Sequence, residues 1–253
     1  MRNSAKSWIS AALFLFASVF SLGYVQPARA FTLIELLVIP PLELVTLQEA
    51  AVTITNTSGN AVQLVATAYN DRGFAFKQEG SEANPITVAP NTTFRFSVRA
   101  PATGNLSVHT VVELSAANAA VADVMGFDSN TGQVISLMPG RTTFPQAQLL
   151  PAVQLVASQS ALVKVTNTSP NDASATINLY NAKGTLFKQL TTPLLAPNVT
   201  FTHRVMAPAT GNLTFFATIN WGDGSPPGVS DVMALGRSSG QVIAILPFVE
   251  TGN

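Results

Sequence analysis

The sequence contains no cysteine in 253 residues, so neither disulfide bonds nor cysteine-ligated metals can hold the chain together. Charge is also scarce: 13 basic and 13 acidic side chains make up only 10% of the residues, against about 25% in an average soluble domain. A sparse and balanced charge provides no concentrated basic surface for nucleic acid or an anionic membrane. We therefore expect neither as a partner, and stability must come from buried apolar cores.

The residue sets that carry common catalytic chemistry are missing too. The chain has no Gly-x-Ser-x-Gly elbow, no phosphate-binding loop and no paired-carboxylate pattern. Its two histidines, His109 and His203, lack the clustered cysteines or carboxylates of a zinc site. Asp123 and Asp231 recur in Asp-Val-Met segments, but calcium takes six to eight oxygens, so each is expected to bind backbone amides at a strand start. We expect no enzyme, no metal and no cofactor.

The N-terminus has the pattern of a secretory signal peptide. Arg2 and Lys6 precede an apolar run over 8–24, and Ala28-Arg29-Ala30 has the small-x-small form of a cleavage site. We predict a signal peptide over 1–30 and an exported protein located extracellularly, at the cell surface or in the periplasm. The alternative is a retained membrane anchor, but serine and glycine interrupt a run that barely reaches the ~20 residues of a span.

The segment after this site, Phe31-Thr32-Leu33-Ile34-Glu35-Leu36-Leu37, resembles the start of a type IV pilin. In that family the basic leader is cut before an apolar segment that continues for some twenty residues as one helix. Here an apolar leader comes first, and Pro40-Pro41 stops the run where the helix would continue. The resemblance is therefore rejected, and Glu35 inherits no assembly role.

The dominant feature of the sequence is an internal duplication. The heptapeptide Ala100-Pro101-Ala102-Thr103-Gly104-Asn105-Leu106 occurs again, letter for letter, over 207–213. Proline fixes one backbone angle and Thr-Gly-Asn permits a positive one, so each copy predicts a corner between two strands. The corner residues are Pro101, Gly104 and Asn105 in the first copy and Pro208, Gly211 and Asn212 in the second.

Both copies alternate apolar and polar residues in short runs separated by turn signals. The run at 52–58 matches 163–169, and the prolines at 40–41 match the start of the second copy at 151, where proline suits an edge strand that bends. The alternation predicts one apolar set facing a core: Val52, Ile54, Val163 and Val165. It predicts one polar set facing water: Thr53, Thr55, Lys164 and Thr166.

Seven to nine short strands per copy predict an all-β protein of two tandem antiparallel β-sandwiches. We place the first domain at 31–145 and the second at 146–253. The strand-turn rhythm, the Asn-Thr-Ser turn and the Ala-Pro-Asn entry to a strand resemble the immunoglobulin-like and fibronectin-III-like modules of bacterial exported proteins. The resemblance implies the sandwich fold and carries no functional residues.

Four residues are candidates for ligand binding. Trp221 and Asp223 lie in a Trp-Gly-Asp-Gly-Ser turn that looks like one in polycystic-kidney-disease-type sandwich modules, and this turn is absent from the first copy. Tyr69 and Tyr180 are further aromatic platforms for a sugar ring. The competing interpretation of the turn is a plain hairpin, for which Asp-Gly suffices. His109 and His203 exchange with phenylalanine between the copies, which indicates aromatic spacers.

Six Asn-x-Ser/Thr sequons occur in register between the copies and are predicted to be exposed in turns. We expect them to be unmodified in a bacterial host and glycosylated in a host that has N-glycosylation enzymes. The six sequons are Asn56, Asn91, Asn105, Asn167, Asn198 and Asn212.

Three functional hypotheses follow. The first is a non-enzymatic structural or adhesive protein, with protein partners or self-association through Phe31 to Ile39 as an added strand. The second is a carbohydrate- or ligand-binding module, and the third a periplasmic two-domain chaperone. No membrane span is expected after cleavage.

Overall fold

The computed structural model describes residues 31–142, 145–222, 228–235 and 242–250, which form strands and turns without a helix. All sheets are antiparallel and none closes into a barrel, so the predicted all-β sandwich fold is confirmed. The signal peptide predicted over 1–30 lies outside the described residues.

Nine strands of the first copy form two sheets. The strands are β1 (Glu35–Leu44), β2 (Gln48–Asn56), β3 (Val62–Asn70), β4 (Ala75–Glu79), β5 (Ile86–Val88), β6 (Thr93–Arg99), β7 (Leu106–Leu114), β8 (Ala120–Asp128) and β9 (Val134–Pro139). Sheet I has the order β1-β7-β3-β4, with β5 also paired to β3, and sheet II has the order β6-β2-β8-β9.

The second copy repeats this arrangement. Its strands are β10 (Ala147–Leu155), β11 (Ser160–Thr166), β12 (Ala175–Asn181), β13 (Leu186–Thr191), β14 (Thr200–Met206), β15 (Leu213–Trp221), β16 (Val229–Leu235), β17 (Val242–Pro247) and β18 (Val249–Glu250). Sheet III has the order β14-β11-β16-β17, and sheet IV has the order β13-β12-β15-β10-β18. Pairing between the named strands stays within each copy, and one isolated bridge, between Arg72 and Val199, joins the copies among the described residues. The domain limits 31–145 and 146–253 remain predictions.

The prolines bend the first strand of each copy, as the sequence predicts. The register of β1 against β7 shifts between Ile39 and Leu42, and that of β10 against β15 shifts between Leu150 and Val153. Proline cannot donate to a ladder, so a bulge at an irregular position accommodates it. β1 is an edge strand of sheet I, whereas β18 adds two residues of pairing beyond β10.

Each copy has its own apolar core, between sheets I and II and between sheets III and IV. Val52 and Ile54 lie in the first core and Val163 and Val165 in the second, as the alternation predicts. Val38 and Val111, from the opposite face of sheet I, pack with the second core instead. The sheets therefore stack in the order II, I, III, IV, and the two sandwiches dock face to face.

The repeated heptapeptide is an exposed corner, as predicted. In the first copy it carries the chain from β6 in sheet II to β7 in sheet I, and in the second from β14 to β15. Gly104 and Gly211 have φ values of 91° and 92°, a region that favours glycine. The fidelity of the repeat therefore reflects the crossing between sheets.

Two sequons are buried and Asn198 is half-buried, which corrects the prediction of exposure, most clearly for Asn56 and Asn167. Both are buried because their side chains close a turn. The Nδ2 atom of Asn56 donates to the carbonyls of Asn60 (2.7 Å) and Val88 (2.9 Å). The Nδ2 atom of Asn167 donates to the carbonyls of Asn171 and Leu195, each at 2.8 Å. The Asn-Thr-Ser segment is thus a structural turn in both copies.

Replacing Asn167 by alanine is therefore expected to lower the free energy of unfolding by about 1–3 kcal/mol, because the buried amide of Ser169 loses its acceptor, the Asn167 Oδ1 atom at 2.9 Å. The two carbonyls that Nδ2 binds each lose one donor as well. The exposed Asn212 is the matched control, and its alanine variant is expected to change stability by less than about 0.5 kcal/mol. Urea denaturation of the two variants measures the difference. Equal stability of both would contradict the structural role of the buried amide.

Candidate functional site

The aromatic residues predicted to bind a ligand do not form a platform. Trp221 ends β15 and is only 5% exposed, packed in the second core against Gly228, so its predicted stacking role is wrong. Tyr69 and Tyr180 lie half-buried and are stacked on neighbouring rings rather than free. Asp223 lies outside the described residues.

The aromatic-spacer interpretation of His109 is confirmed by its geometry. The His109 ring stacks on Tyr69 with centroids 5.4 Å apart, and Phe216 stacks on Tyr180 at 5.1 Å in the equivalent place of the second copy. His203 is half-buried and opposite Val163 of β11, on the core side of sheet III.

Lys164 is the largest departure from the sequence prediction. The alternation predicts that it faces water, but its exposure is 0% because sheet I covers the outer face of sheet III. Its Nζ atom donates to Oε2 of Glu43 and to Oγ of Ser107, each at 2.8 Å. Both partners belong to the first copy, so this ammonium group connects the two sandwiches. Thr166 is buried on the same face, contrary to the prediction, whereas Thr53 and Thr55 are half-exposed.

Asp231 lies directly opposite Lys164 on β16 and is completely buried. Neither carboxylate oxygen has a hydrogen-bond partner among the described residues, and the residue is in the middle of its strand. The expectation that it binds backbone amides at a strand start is therefore wrong, and Asp123 is likewise in the middle of β8. Burial raises the pKa of Asp231 from 3.8 to about 7, with the Lys164 charge opposing this shift and the Glu43 charge adding to it.

Burial also affects His109, on the sheet I side of the same contact. It lowers the His109 pKa from 6.5 to about 4, and the charge of Lys164 contributes in the same direction. The side chain of Asn198 opposes the shift. Among the described residues, the contact between the sandwiches therefore contains the ion pair of Lys164 with Glu43, next to an aspartate and a histidine that are both neutral near pH 6.

A cleft of about 590 Å³ opens beside this ion pair, between the two copies. A second hollow of about 290 Å³ shares Glu43, Asn105, Leu162 and Arg204 with it and extends it. The cleft is lined mainly by polar side chains, together with exposed Phe74. The corner of the first heptapeptide therefore forms one edge of this cleft, through Asn105 and Leu106.

The turn between β3 and β4 forms another edge of the cleft and touches the second copy. Arg72 forms an antiparallel bridge with Val199, and the amide of Thr200 donates to the carbonyl of Asp71 at 2.9 Å. Gly73 has a φ of 78°, and a Cβ there would lie 2.9 Å from the carbonyl oxygen of Pro197. A glycine is required because the second copy approaches the backbone closely.

Replacing Gly73 by alanine is expected to destabilise the protein by about 2–3 kcal/mol, from the positive φ and from the clash with Pro197. Gly184 is the matched control: its φ is 76°, but a Cβ there would meet nothing within 4 Å. Its alanine variant is expected to lose only about 1 kcal/mol. Thermal unfolding of both variants measures their losses of stability, and the difference between the two losses is the cost of the clash with the second copy. Equal losses would show that the approach of Pro197 does not constrain this turn.

Sequence reasoning missed the cleft and the buried pair, although one signal was present. Lys164 stands where the first copy has Thr53, so one copy has a cation that its partner copy does not need. The structure also buries segment 229–235 along its whole length, whereas its counterpart in the first copy alternates. The two segments have similar apolar patterns, so this difference comes from docking and is not visible in the sequence.

Comparison with known proteins gives no family. No family model matches the chain, and no curated protein sequence is similar to it. Solved structures match only distantly. An anti-sigma factor domain-containing protein has 10% identity and a TM-score of 0.24, over 82% of this chain and 80% of that one. A candidate secreted protein of Parabacteroides distasonis has 9% identity and a TM-score of 0.21, over 91% of this chain and 86% of that one.

A calcium-binding mutant of Bacteroides uniformis β-glucuronidase 2 is also similar, with 11% identity and a TM-score of 0.18. The match covers 83% of this chain, which spans about a quarter (25%) of the length of the glucuronidase. Over the described residues, no helix has the length and apolar character to cross a membrane, and no three histidine, aspartate or glutamate side chains group as metal ligands.

Proposed function

We propose that the protein is a non-enzymatic exported structural or adhesive protein, built from two immunoglobulin-like sandwiches that dock into one rigid body. The observation that supports this most is the Lys164 ammonium group, which is buried between the copies and bonded to Glu43 and Ser107. An interface with a buried ion pair resists independent motion of the units, because separating them would expose apolar residues and break the pair. Such rigidity suits a structural element.

The residues with the most displaced pKa values support a role without catalysis. Displaced pKa values often mark active sites, where the group also faces a cleft. Here Asp231 and His109 have exposures of 0% and 1% and are enclosed by sheets I and III. No substrate reaches them in this arrangement, so their displaced pKa values are explained by docking of the sandwiches.

The N-terminal segment proposed to assemble is already part of a sheet in its own chain. Glu35 to Ile39 already pair with β7 of the same chain, and Leu37, Val38 and Ile39 are buried. Adding this segment to another molecule would require β1 to leave its own sheet. Adhesion through the surface of the docked sandwiches is therefore favoured over donation of the N-terminal strand.

Secretion and fractionation of the full chain in a bacterial host test this proposal. The expected product begins at Phe31 and is recovered from the cell surface or the medium. A product retained in the cytoplasm with its first thirty residues intact would contradict an exported role.

A ligand-binding module is the second candidate, now at the inter-copy cleft instead of at Trp221. Its volume of about 590 Å³ falls within the range of about 300–1,000 Å³ typical of ligand sites. The cleft exists only when the two copies dock, so binding would depend on the same contact as rigidity.

A further inference from the structure

The duplication provides an internal comparison for the cleft. Residues that the fold requires recur in both copies: Asn70 and Asn181 each use Oδ1 to accept two backbone amides of the following turn. Several residues that line the cleft do not recur, among them Phe74, which corresponds to Thr185, and Arg204, which corresponds to Ser97. The fold of one copy therefore does not require these side chains, and both are directed to the space between the copies.

The lining of the cleft has two arginines and two carboxylates, and Lys164, which pairs with Glu43 beside it, brings the sum of these charges to one positive. Arg72 and Arg204 enter the cleft from the two copies, and neither forms an ion pair with a carboxylate of the described residues. Glu43 is already paired with Lys164, which leaves Asp71 as the opposing charge in the lining. A guanidinium group offers a planar set of donors that matches a carboxylate.

The remaining lining suits a sugar. Phe74 is 66% exposed and lines the cleft, and the apolar face of a pyranose can pack on an exposed aromatic ring. Side-chain amides and hydroxyls around it can pair with sugar hydroxyls. They belong to Asn70, Asn105, Ser107 and Thr202.

We propose that the cleft binds a carboxylate-bearing oligosaccharide, with Arg72 and Arg204 on the carboxylates and Phe74 against a ring. This site deepens the second candidate function and rests on it, and it gives the adhesive role a target of defined chemistry. Docking of the two copies creates the site, because neither copy alone supplies both arginines.

Calorimetric titration of the purified mature chain with oligogalacturonate and with alginate oligomers tests the proposal. Methyl-esterified oligogalacturonate is the matched probe, since it differs only in its carboxylates. We expect binding of the acidic oligomers, at least tenfold weaker binding of the ester, and weaker binding at high salt. R204S and F74T, which introduce the residues of the other copy, are each expected to weaken binding at least tenfold. R95T is the control on an exposed arginine outside the cleft and should bind as the parent does.

Absence of binding to the acidic oligomers, equal binding of the ester, or unchanged binding by R204S would each overturn the proposal. Full competition by inorganic phosphate at the same concentration would show a simple anion site and would overturn the saccharide assignment. Thermal unfolding confirms that each variant is folded. Export without glycan binding would refute this inference alone, whereas glycan binding by a chain that stays in the cytoplasm would refute the exported role alone.

Discussion

Replacing Lys164 by methionine will lower the free energy of unfolding by about 3–5 kcal/mol, the usual loss when one partner of a buried ion pair is removed. The Glu43 side chain is only 16% exposed, so its carboxylate would stay largely buried without its partner. Ser107 would lose its donor as well. Urea denaturation monitored by tryptophan fluorescence measures the loss.

Two further variants make this prediction specific. In K164M/E43L both charges are removed, and stability should return to within about 1 kcal/mol of the parent, because apolar pairs often replace buried ion pairs at little cost. R99M is the comparison at an exposed ion pair, because the Arg99 side chain, which pairs with Glu49, is 69% exposed. This variant should lower the free energy of unfolding by less than about 1 kcal/mol. A loss below 1 kcal/mol for K164M would mean that the ion pair is not buried in solution.

Asp231 and His109 will make the stability of the protein depend on pH in opposite directions. Folded Asp231 keeps its proton up to about pH 7, whereas in the unfolded chain it loses the proton near 3.8. Its contribution to stability is therefore complete below pH 4 and is lost as the pH rises to 7, on the order of 4 kcal/mol in total. Folded His109 stays neutral down to about pH 4, whereas the unfolded residue gains a proton near 6.5. Its contribution is complete above 6.5 and is lost as the pH falls to 4, on the order of 3 kcal/mol.

Because these slopes are opposite between pH 4 and 6.5, they nearly cancel in the parent protein. H109F keeps an aromatic ring, as Phe216 does in the second copy, and should become less stable relative to the parent as the pH rises from 4 to 6.5. D231N should become less stable relative to the parent as the pH falls over the same range. Urea midpoints of the three proteins across pH 4–8 measure these differences. Parallel profiles would contradict the burial of both groups.

The strands were predictable because a strand assigned in one copy can be checked against the equivalent segment of the other copy. Alternating apolar residues placed Val52 and Val163 in cores, and proline, glycine and asparagine marked the bulges and corners correctly. Errors arose where a residue faced the other copy or filled a turn. Lys164 has the polar position of a solvated strand face, but sheet I covers that face.

The candidate site was less predictable because it depends on how two folded units meet. The alternation within a strand specifies its own two faces and contains no information about a second sandwich. The sequence predicts an exposed aromatic residue at Trp221, yet this residue fills the second core. It predicts an exposed sequon at Asn56, yet this side chain closes a turn. Arg72 and Phe74 belong to one turn of the first copy and Arg204 to the second copy, so the three side chains come together only by docking.

A distance measurement between the outermost sheets tests this docking most directly. Because the chain has no cysteine, two introduced cysteines can be labelled without side reactions. Val121 of sheet II and Gln189 of sheet IV are both exposed and are replaced by cysteine to carry the spin labels. Pulsed electron paramagnetic resonance should show one narrow distance distribution in the parent and a broader one after Lys164→Met. A broad distribution in the parent itself would contradict the rigid docking of the two sandwiches.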